Sequence, residues 1–241
     1  MDYLRPEANG GTERTVPKII IHGEHLDPDK PRMGEEIFDE APASILGAPR
    51  NKKHIPNNSI RRKIAIYFTN VYNKPYQHIM KLLPEVMPRW GKSRIVGGGD
   101  KVSTLWAQER RTKYRDSSFV RYEVAVDSNP RVRRKTPLVR RICYGELHEI
   151  LECVIPPSEL LGTGMPTRHL LALVSDSGAY MDAALTPTSF TNLSDTTQII
   201  ALASVSSVCG RFLYGTNSRR WAIVDRSCEL ARPIFSVDDD D

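Results

Sequence analysis

Phe119-Val120-Arg121-Tyr122-Glu123-Val124-Ala125-Val126-Asp127 is the stretch on which the reading of the fold turns. Val120, Tyr122, Val124 and Val126 alternate with Phe119, Arg121, Glu123 and Ala125. A period of two, with β-branched and aromatic residues on one side, is the pattern of a strand with one face in a core. Upstream, Trp90-Gly91-Lys92-Ser93-Arg94 leads to Gly97, Gly98 and Gly99 and then to Asp100. The glycines supply the backbone freedom of a tight turn, and an aspartate suits its end. From Trp90 onward the chain reads as β-structure; before it, as an arm followed by helices.

Downstream, Ile142 to Ile155 reads as a strand with Leu147, Leu151, Cys153 and Ile155 on one face. His148, Ile150 and Val154 take the other, and His148 reads as an ordinary strand residue. Leu170 to Val174 suits a buried strand, and residues 176–197, rich in Thr, Ser and Asp, read as a loop. Ile199 to Leu202 and Val205 to Leu213 follow as strands. Gly215-Thr216-Asn217-Ser218 then makes a hairpin turn into Trp221-Ala222-Ile223-Val224-Asp225. Short strands between turns, with few helices, predict a mainly β fold of the α+β class, residues 90–236 forming a small β-barrel or sandwich. Trp90, Trp106 and Trp221 are expected in this core or at its edge, Trp221 most firmly because it begins an alternating strand.

A helical pair is predicted over 60–89. Ile64, Tyr67, Phe68, Val71 and Tyr72 share one helical face, with Ser59 as the N-cap. Asn73-Lys74-Pro75 ends that helix and starts a second, whose Ile79, Met80, Leu82 and Leu83 face inward before Pro84 stops it. Arg61, Arg62 and Lys63 permit a helix-turn-helix reading. The shortness and low charge of the second helix favour a hairpin packed on the β-domain. Residues 1–59 read as an extended or disordered arm: prolines and glycines recur, and only Ile19-Ile20-Ile21 and Ala43 to Leu46 are apolar. Residues 237–241 form an acidic tail, expected to be disordered.

Composition narrows the classes. The chain has 241 residues, 40% hydrophobic and 26% charged, and no apolar run approaches the ~20 residues of a membrane span. Met1 to Gly10 lacks a signal-peptide core, and Cys143, Cys153, Cys209 and Cys228 form no C-x-x-C pair. A soluble intracellular protein with free thiols and no cofactor or metal is expected. The net charge of +5 is uneven: residues 61–141 hold 20 basic and 6 acidic side chains, a surplus of 14, while residues 142–241 hold 6 and 13. That segregation is the strongest compositional signal.

Several motifs fail on spacing. His22 and His25 lack the four-residue helical spacing of a zincin pair. Gly91-Lys92-Ser93 resembles the end of a P-loop, but Val86 stands where the first glycine belongs. Gly97 to Gly99 are not followed by a helix, as a dinucleotide fingerprint requires. What remains are two basic clusters placed on loops between strands. Arg110, Arg111, Lys113 and Arg115 surround Tyr114; Arg131, Arg133, Arg134, Lys135, Arg140 and Arg141 flank Pro137. Such density attracts polyanions through counterion release, and Tyr114 is placed to stack on an unpaired base. A nuclear-import signal and plain solvated loops remain open as alternatives.

Met87-Pro88-Arg89-Trp90-Gly91-Lys92-Ser93-Arg94-Ile95 with Gly98-Gly99-Asp100 resembles a block in fungal transposon-encoded proteins. The similarity continues in Asp116-Ser117-Ser118-Phe119-Val120-Arg121-Tyr122-Glu123 with Val126-Asp127, and in Tyr144-Gly145-Glu146-Leu147 with Ile150. It resumes at Val208-Cys209-Gly210-Arg211 and at Trp221-Ala222-Ile223-Val224-Asp225-Arg226-Ser227. These are the transposase-associated proteins of Plavaka-type and KDZ-type elements in mushroom-forming fungi, matched in collinear order over about residues 60–235. The resemblance implies a mobile-element origin and carries no established activity for this region. Gly99-Asp100-Lys101-Val102 and Tyr144-Gly145-Glu146-Leu147-His148-Glu149-Ile150 also look like the strand pattern of BAH-type chromatin modules, which are built on a small β-barrel.

The function expected from charge and resemblance is a non-catalytic, nuclear module that binds nucleic acid without sequence preference, with chromatin or transposase proteins as further partners and no membrane. A protein-interaction scaffold, nuclear or cytoplasmic, is the alternative. A nuclease would need carboxylates converging on metal ions. Asp100, Asp116 and Asp127 are available, but each sits at a turn or strand end.

Overall fold

Strands dominate the residues described by a computed structural model, which are 30–38, 43–96, 100–108, 116–127, 138–180, 188–214 and 220–225. The chain enters through β1 (Glu36–Phe38) and β2 (Ser44–Asn51), forms helices α1 (Asn58–Tyr72) and α2 (Tyr76–Leu82), and returns through β3 (Arg89–Ile95) and β4 (Lys101–Ser103). The single turn α3 (Leu105–Gln108) precedes β5 (Phe119–Asp127), β6 (Leu138–Ile155), β7 (Thr167–Tyr180), β8 (Ser189–Phe190) and β9 (Thr197–Ala201). A 3-10 turn at Leu202–Ser204 leads to β10 (Val205–Val208), β11 (Gly210–Tyr214) and β12 (Arg220–Val224). The fold is mainly β, of the α+β class. All pairings between these strands are antiparallel. They make a nine-stranded sheet and a three-stranded one, β11-β12-β8.

The large sheet is not closed, which corrects the barrel expectation. Strands β9, β7, β6, β5 and β10 lie side by side in that order, and β6 also pairs β3, which carries β2 and β1. The sheet wraps one core containing Leu46, Trp90, Val120, Tyr122, Leu147, Ile150, Val174 and Ile200. Closure fails because the 3-10 turn separates β9 from β10: β10 reaches β5 only as far as Tyr122, and β9 pairs β7 alone.

Residues 36–51 depart from the expected arm. They form β1 and β2, with Ile45 and Leu46 fully buried. Their polar residues are held by distant partners: Arg50 donates to Glu36 at 2.8 Å, and Arg168 donates to Glu36 and, at 2.8 Å, to Glu152. The apolar triplet at residues 19–21 and the tail at 237–241 lie outside the described residues.

The helices pack as a hairpin on the outer face of the sheet. Asn57, not Ser59, caps α1 by accepting from Ile60 N at 2.9 Å, and Asn73, at φ 51°, ends it. Ile64, Ala65 and Phe68 bury against Leu151, Cys153, Leu171, Leu173 and Ile199. Val71, expected inward, is 52% exposed. Arg61 donates to the carbonyls of Pro84 (2.6 Å) and Leu83 (3.3 Å), so its charge fastens the end of α2. Trp90 is the tryptophan in the core, at 1% exposure; Trp106 and Trp221 are half-buried.

Strand β6 serves both faces through a bulge. Leu147 pairs Val174 while Glu149 pairs Leu173, so His148 is an extra residue. Before it the odd positions Cys143 and Leu147 face the inner core; after it Ile150 does, and Leu151, Cys153 and Ile155 meet the helices. At Gly145 the strands approach so closely that an added Cβ would lie 2.3 Å from the Ser175 carbonyl oxygen. Gly145→Ala is therefore expected to destabilise by about 1–3 kcal/mol through overpacking, read as a lower melting temperature.

His169 on β7 lies against Phe68 and hydrogen-bonds Tyr72 Oη at 2.8 Å. Burial lowers its pKa, and the unfolded chain therefore takes up the proton first. Stability is expected to fall as pH drops below about 6.5, the ordinary histidine value, toward the folded pKa. Buried His54 adds in the same sense. Melting temperatures between pH 7.5 and 5.5 should fall less steeply for His169→Phe than for the parent.

Candidate nucleic-acid interface

The end of β5 and the start of β6 stand out from the sheet as a two-stranded ribbon. The pairing runs in register from Phe119↔Glu146 to Asp127↔Leu138. The neighbouring strands stop earlier: β10 at Val205↔Tyr122 and β7 at Tyr180↔Cys143. Among the described residues, Glu123–Asp127 and Leu138–Ile142 thus pair only with each other, over about 17 Å at ~3.4 Å per residue. Ala125 and Leu138 to Arg141 are exposed. Among the described residues no third strand covers them.

Arg140 and Arg141 belong to this ribbon rather than to a loop, which corrects their placement from the sequence. Successive strand residues face opposite sides. Arg140 pairs Ala125 and borders a groove with Glu123, Ser204 and Ser206. Arg141 pairs Val124 on the other face, and its guanidinium lies 5.3 Å from the Tyr180 ring centroid. Arg131, Arg133, Arg134 and Lys135, in the connection 128–137, lie outside the described residues, as do Arg110, Arg111, Lys113, Tyr114 and Arg115. The former run between Asp127 and Leu138, which pair with each other at the end of the ribbon. The first cluster is joined to Asp116, just ahead of β5, about 27 Å of strand away from Asp127. The points where the two clusters leave the sheet therefore lie at opposite ends of β5.

Most arginines elsewhere are occupied by carboxylates. Arg89 meets Glu149 at 2.9 Å, Arg94 meets Glu35 at 2.8 Å, and Arg121 lies 3.5 Å from Asp225. Arg211 is forked between Glu146 at 2.8 Å and Asp116 at 3.1 Å. Among the described residues, Arg140 and Arg141 have no carboxylate within salt-bridge distance; nor do Arg32 and Arg62, or Arg61 and Arg220, which bond carbonyls and Ser189. This division between structural and available cations is what sequence reading missed, because the partners are remote: Glu36 and Arg168 are 132 positions apart.

The carboxylates considered for metal chemistry have structural partners. Asp100 accepts from Val208 N at 3.0 Å, capping the outer edge of β10. Asp116 accepts from Ser118 N and Oγ; burial opposes ionisation there, but these bonds and Arg211 outweigh it and lower the pKa. The side chain of Asp127 is outside the described set. Among the described residues no three His, Cys, Asp or Glu side chains gather as metal ligands. Burial pushes the thiol of Cys143 up to about 11 and those of Cys153 and Cys209 up to about 12, so they stay protonated and unreactive near neutrality. His148 hydrogen-bonds Ser175 Oγ at 2.8 Å across the bulge. No helix among the described residues is long and apolar enough to cross a membrane.

No protein-family profile, curated protein or solved structure matches this chain.

Proposed function

We propose that this chain is a non-catalytic nucleic-acid-binding module whose contact element is the β5–β6 ribbon and the basic connection it carries. The observation that supports this most directly is the two-stranded ribbon extending past its neighbours in the sheet, with Arg140 and Arg141 on opposite faces and meeting no carboxylate among the described residues. A two-stranded ribbon fits the DNA major groove, which is about 12 Å wide, and arginines on both faces meet phosphates on both walls. The reading rests on charge meeting phosphate rather than on base contacts, so binding is expected to be independent of sequence. The block similarity to transposon-encoded proteins, with the mobile-element origin it implies, is in keeping with a chromosomal DNA partner and a nuclear location.

Fluorescence anisotropy on a labelled duplex between 50 and 200 mM salt tests this. If about five cations reach phosphates, log affinity should fall against log salt with a slope of about −4 to −5. Arg131, Arg133, Arg134 and Lys135 replaced together by serine should flatten that slope by up to about four. Arg140→Ser and Arg141→Ser should each flatten it by about one, for all sequences alike. Lys52 and Lys53, on the exposed turn after β2, serve as controls whose replacement changes little. Binding that ignores salt, or that survives the ribbon changes, would favour a protein-interaction scaffold instead.

A further inference from the structure

The opening that keeps the sheet from closing is a seam flanked by two strand edges. On one side is the outer edge of β9, and on the other the outer edge of β5 beyond Tyr122; neither has a strand partner among the described residues. Two grooves meet there and share Ala125. One, of about 550 Å³, runs between α1 and β9 past Lys63, Ile66 and Gln198. The other, of about 460 Å³, continues past Ser204 and Ser206 to Arg140. Ile66 is 55% exposed in the first groove. A cleft with a free strand edge and a helix wall is the geometry in which extended peptides bind by adding a strand.

We propose that the C-terminal segment Ile234-Phe235-Ser236-Val237-Asp238-Asp239-Asp240-Asp241 occupies this seam as an extended strand and sets its carboxylates against the basic rim and the ribbon. Three features of the chain select it. Ile, Phe and Val favour strands, and the four aspartates complement Lys63 and Arg140, which outnumber Glu123, the one carboxylate among the described residues lining the two grooves. The segment also reaches. Asp225 is held at Arg121 and accepts from Tyr144 Oη at 2.8 Å. Arg121 is four residues, about 14 Å, from Ala125 on the same strand. The nine residues from Asp225 to Ile234 span up to about 30 Å. The other apolar candidate, Ile19-Ile20-Ile21, has Lys18 and His22 at its ends, the wrong sign for this rim. A second copy docked by the same surface would set like charges together. The docking does not depend on nucleic-acid binding, but its carboxylates would compete with phosphate for the same arginines.

Hydrogen exchange on the full chain and on a chain ending at Pro233 tests the docking without any nucleic acid. Removal of residues 234–241 is expected to speed amide exchange at least tenfold in Glu123–Asp127 and Thr197–Ala201, leaving the β6–β7 core unchanged. A synthetic peptide of residues 226–241 should restore protection, and less so when its four terminal aspartates are serine or when salt is raised. Equal exchange in the two chains would overturn the proposal. So would protection that grows with protein concentration, which would mark a second copy, or a peptide that restores nothing. On duplex DNA the shortened chain should bind several-fold tighter at low salt. A chain that binds no DNA yet loses seam protection on truncation would remove the proposed function and leave the docking intact.

Discussion

Trp90→Ala is expected to lower folding stability by about 3–5 kcal/mol, the cost of removing a fully buried large aromatic. The indole fills the inner core at the crossing of β3 with β6, opposite Ile150. It also makes one contact a phenyl ring cannot and another that a phenyl ring makes less strongly. Its Nε1 donates to Glu152 Oε2 at 3.0 Å, and its face carries the Arg50 guanidinium 3.9 Å from the ring centroid. Trp90→Phe should therefore recover only part of the loss, with the remainder measuring the hydrogen bond and the cation contact, about 1–2 kcal/mol together. Urea denaturation with an unchanged m value checks this. A Trp90→Ala protein as stable as the parent would mean that β2 and β3 are not attached to this core.

Glu152→Ala is expected to cost about 3 kcal/mol, the lower end of the ~3–5 kcal/mol range for breaking a buried ion pair. Glu152 is 8% exposed, and its carboxylate collects Trp90, Arg168 at 2.8 Å and Arg50 at 3.6 Å. The lower end applies because Glu36 remains as a second partner for both arginines, and they are themselves about a third exposed. The loss should deepen in Glu36→Ala/Glu152→Ala beyond the sum of the two single changes, since only the double change leaves the guanidiniums without any carboxylate. It should be less than additive with Trp90→Ala, because those two changes remove the same hydrogen bond. Strict additivity in both cycles would show that Glu36, Arg50, Trp90, Glu152 and Arg168 do not act as one network.

The parts of the fold legible in the sequence are those whose pattern is local. The period of two at residues 119–127 and the helical face containing Ile64 and Phe68 both state their own environment. Strand β2 does not: Gly47, Pro49 and Arg50 break its pattern, and its burial depends on Glu36, Trp90 and Glu152, which come from three other strands. The single run expected over 205–213 divides at Cys209, whose N–H bonds Phe119 O, and its halves join different sheets. The start of β6 was expected at Ile142 because Leu138, Val139, Arg140 and Arg141 have no apolar period. In the structure they are held by cross-strand pairing with β5 and bury nothing. That is why the ribbon escapes a reading that recognises strands by their buried face. The arginines themselves were conspicuous, yet number alone did not distinguish Arg211, forked between two carboxylates, from Arg140.

The extra residue at His148 gives β6 something like a reading frame. Everything after it is read one position out of step with what came before, and the helical hairpin is attached only to the shifted half. Deleting His148 would leave composition and charge almost untouched and would restore a strand of simple alternation. Because that deletion would keep Ile150 inward and Leu151, Cys153 and Ile155 toward the helices, it is closing the bulge with His148 retained that would turn those three inward and present Ile150 and Glu152 to α1. A frame slip of that kind in mid-strand would detach a helical pair that begins some ninety positions earlier in the chain, so the fold should tolerate the loss of His148 better than one residue inserted beside it.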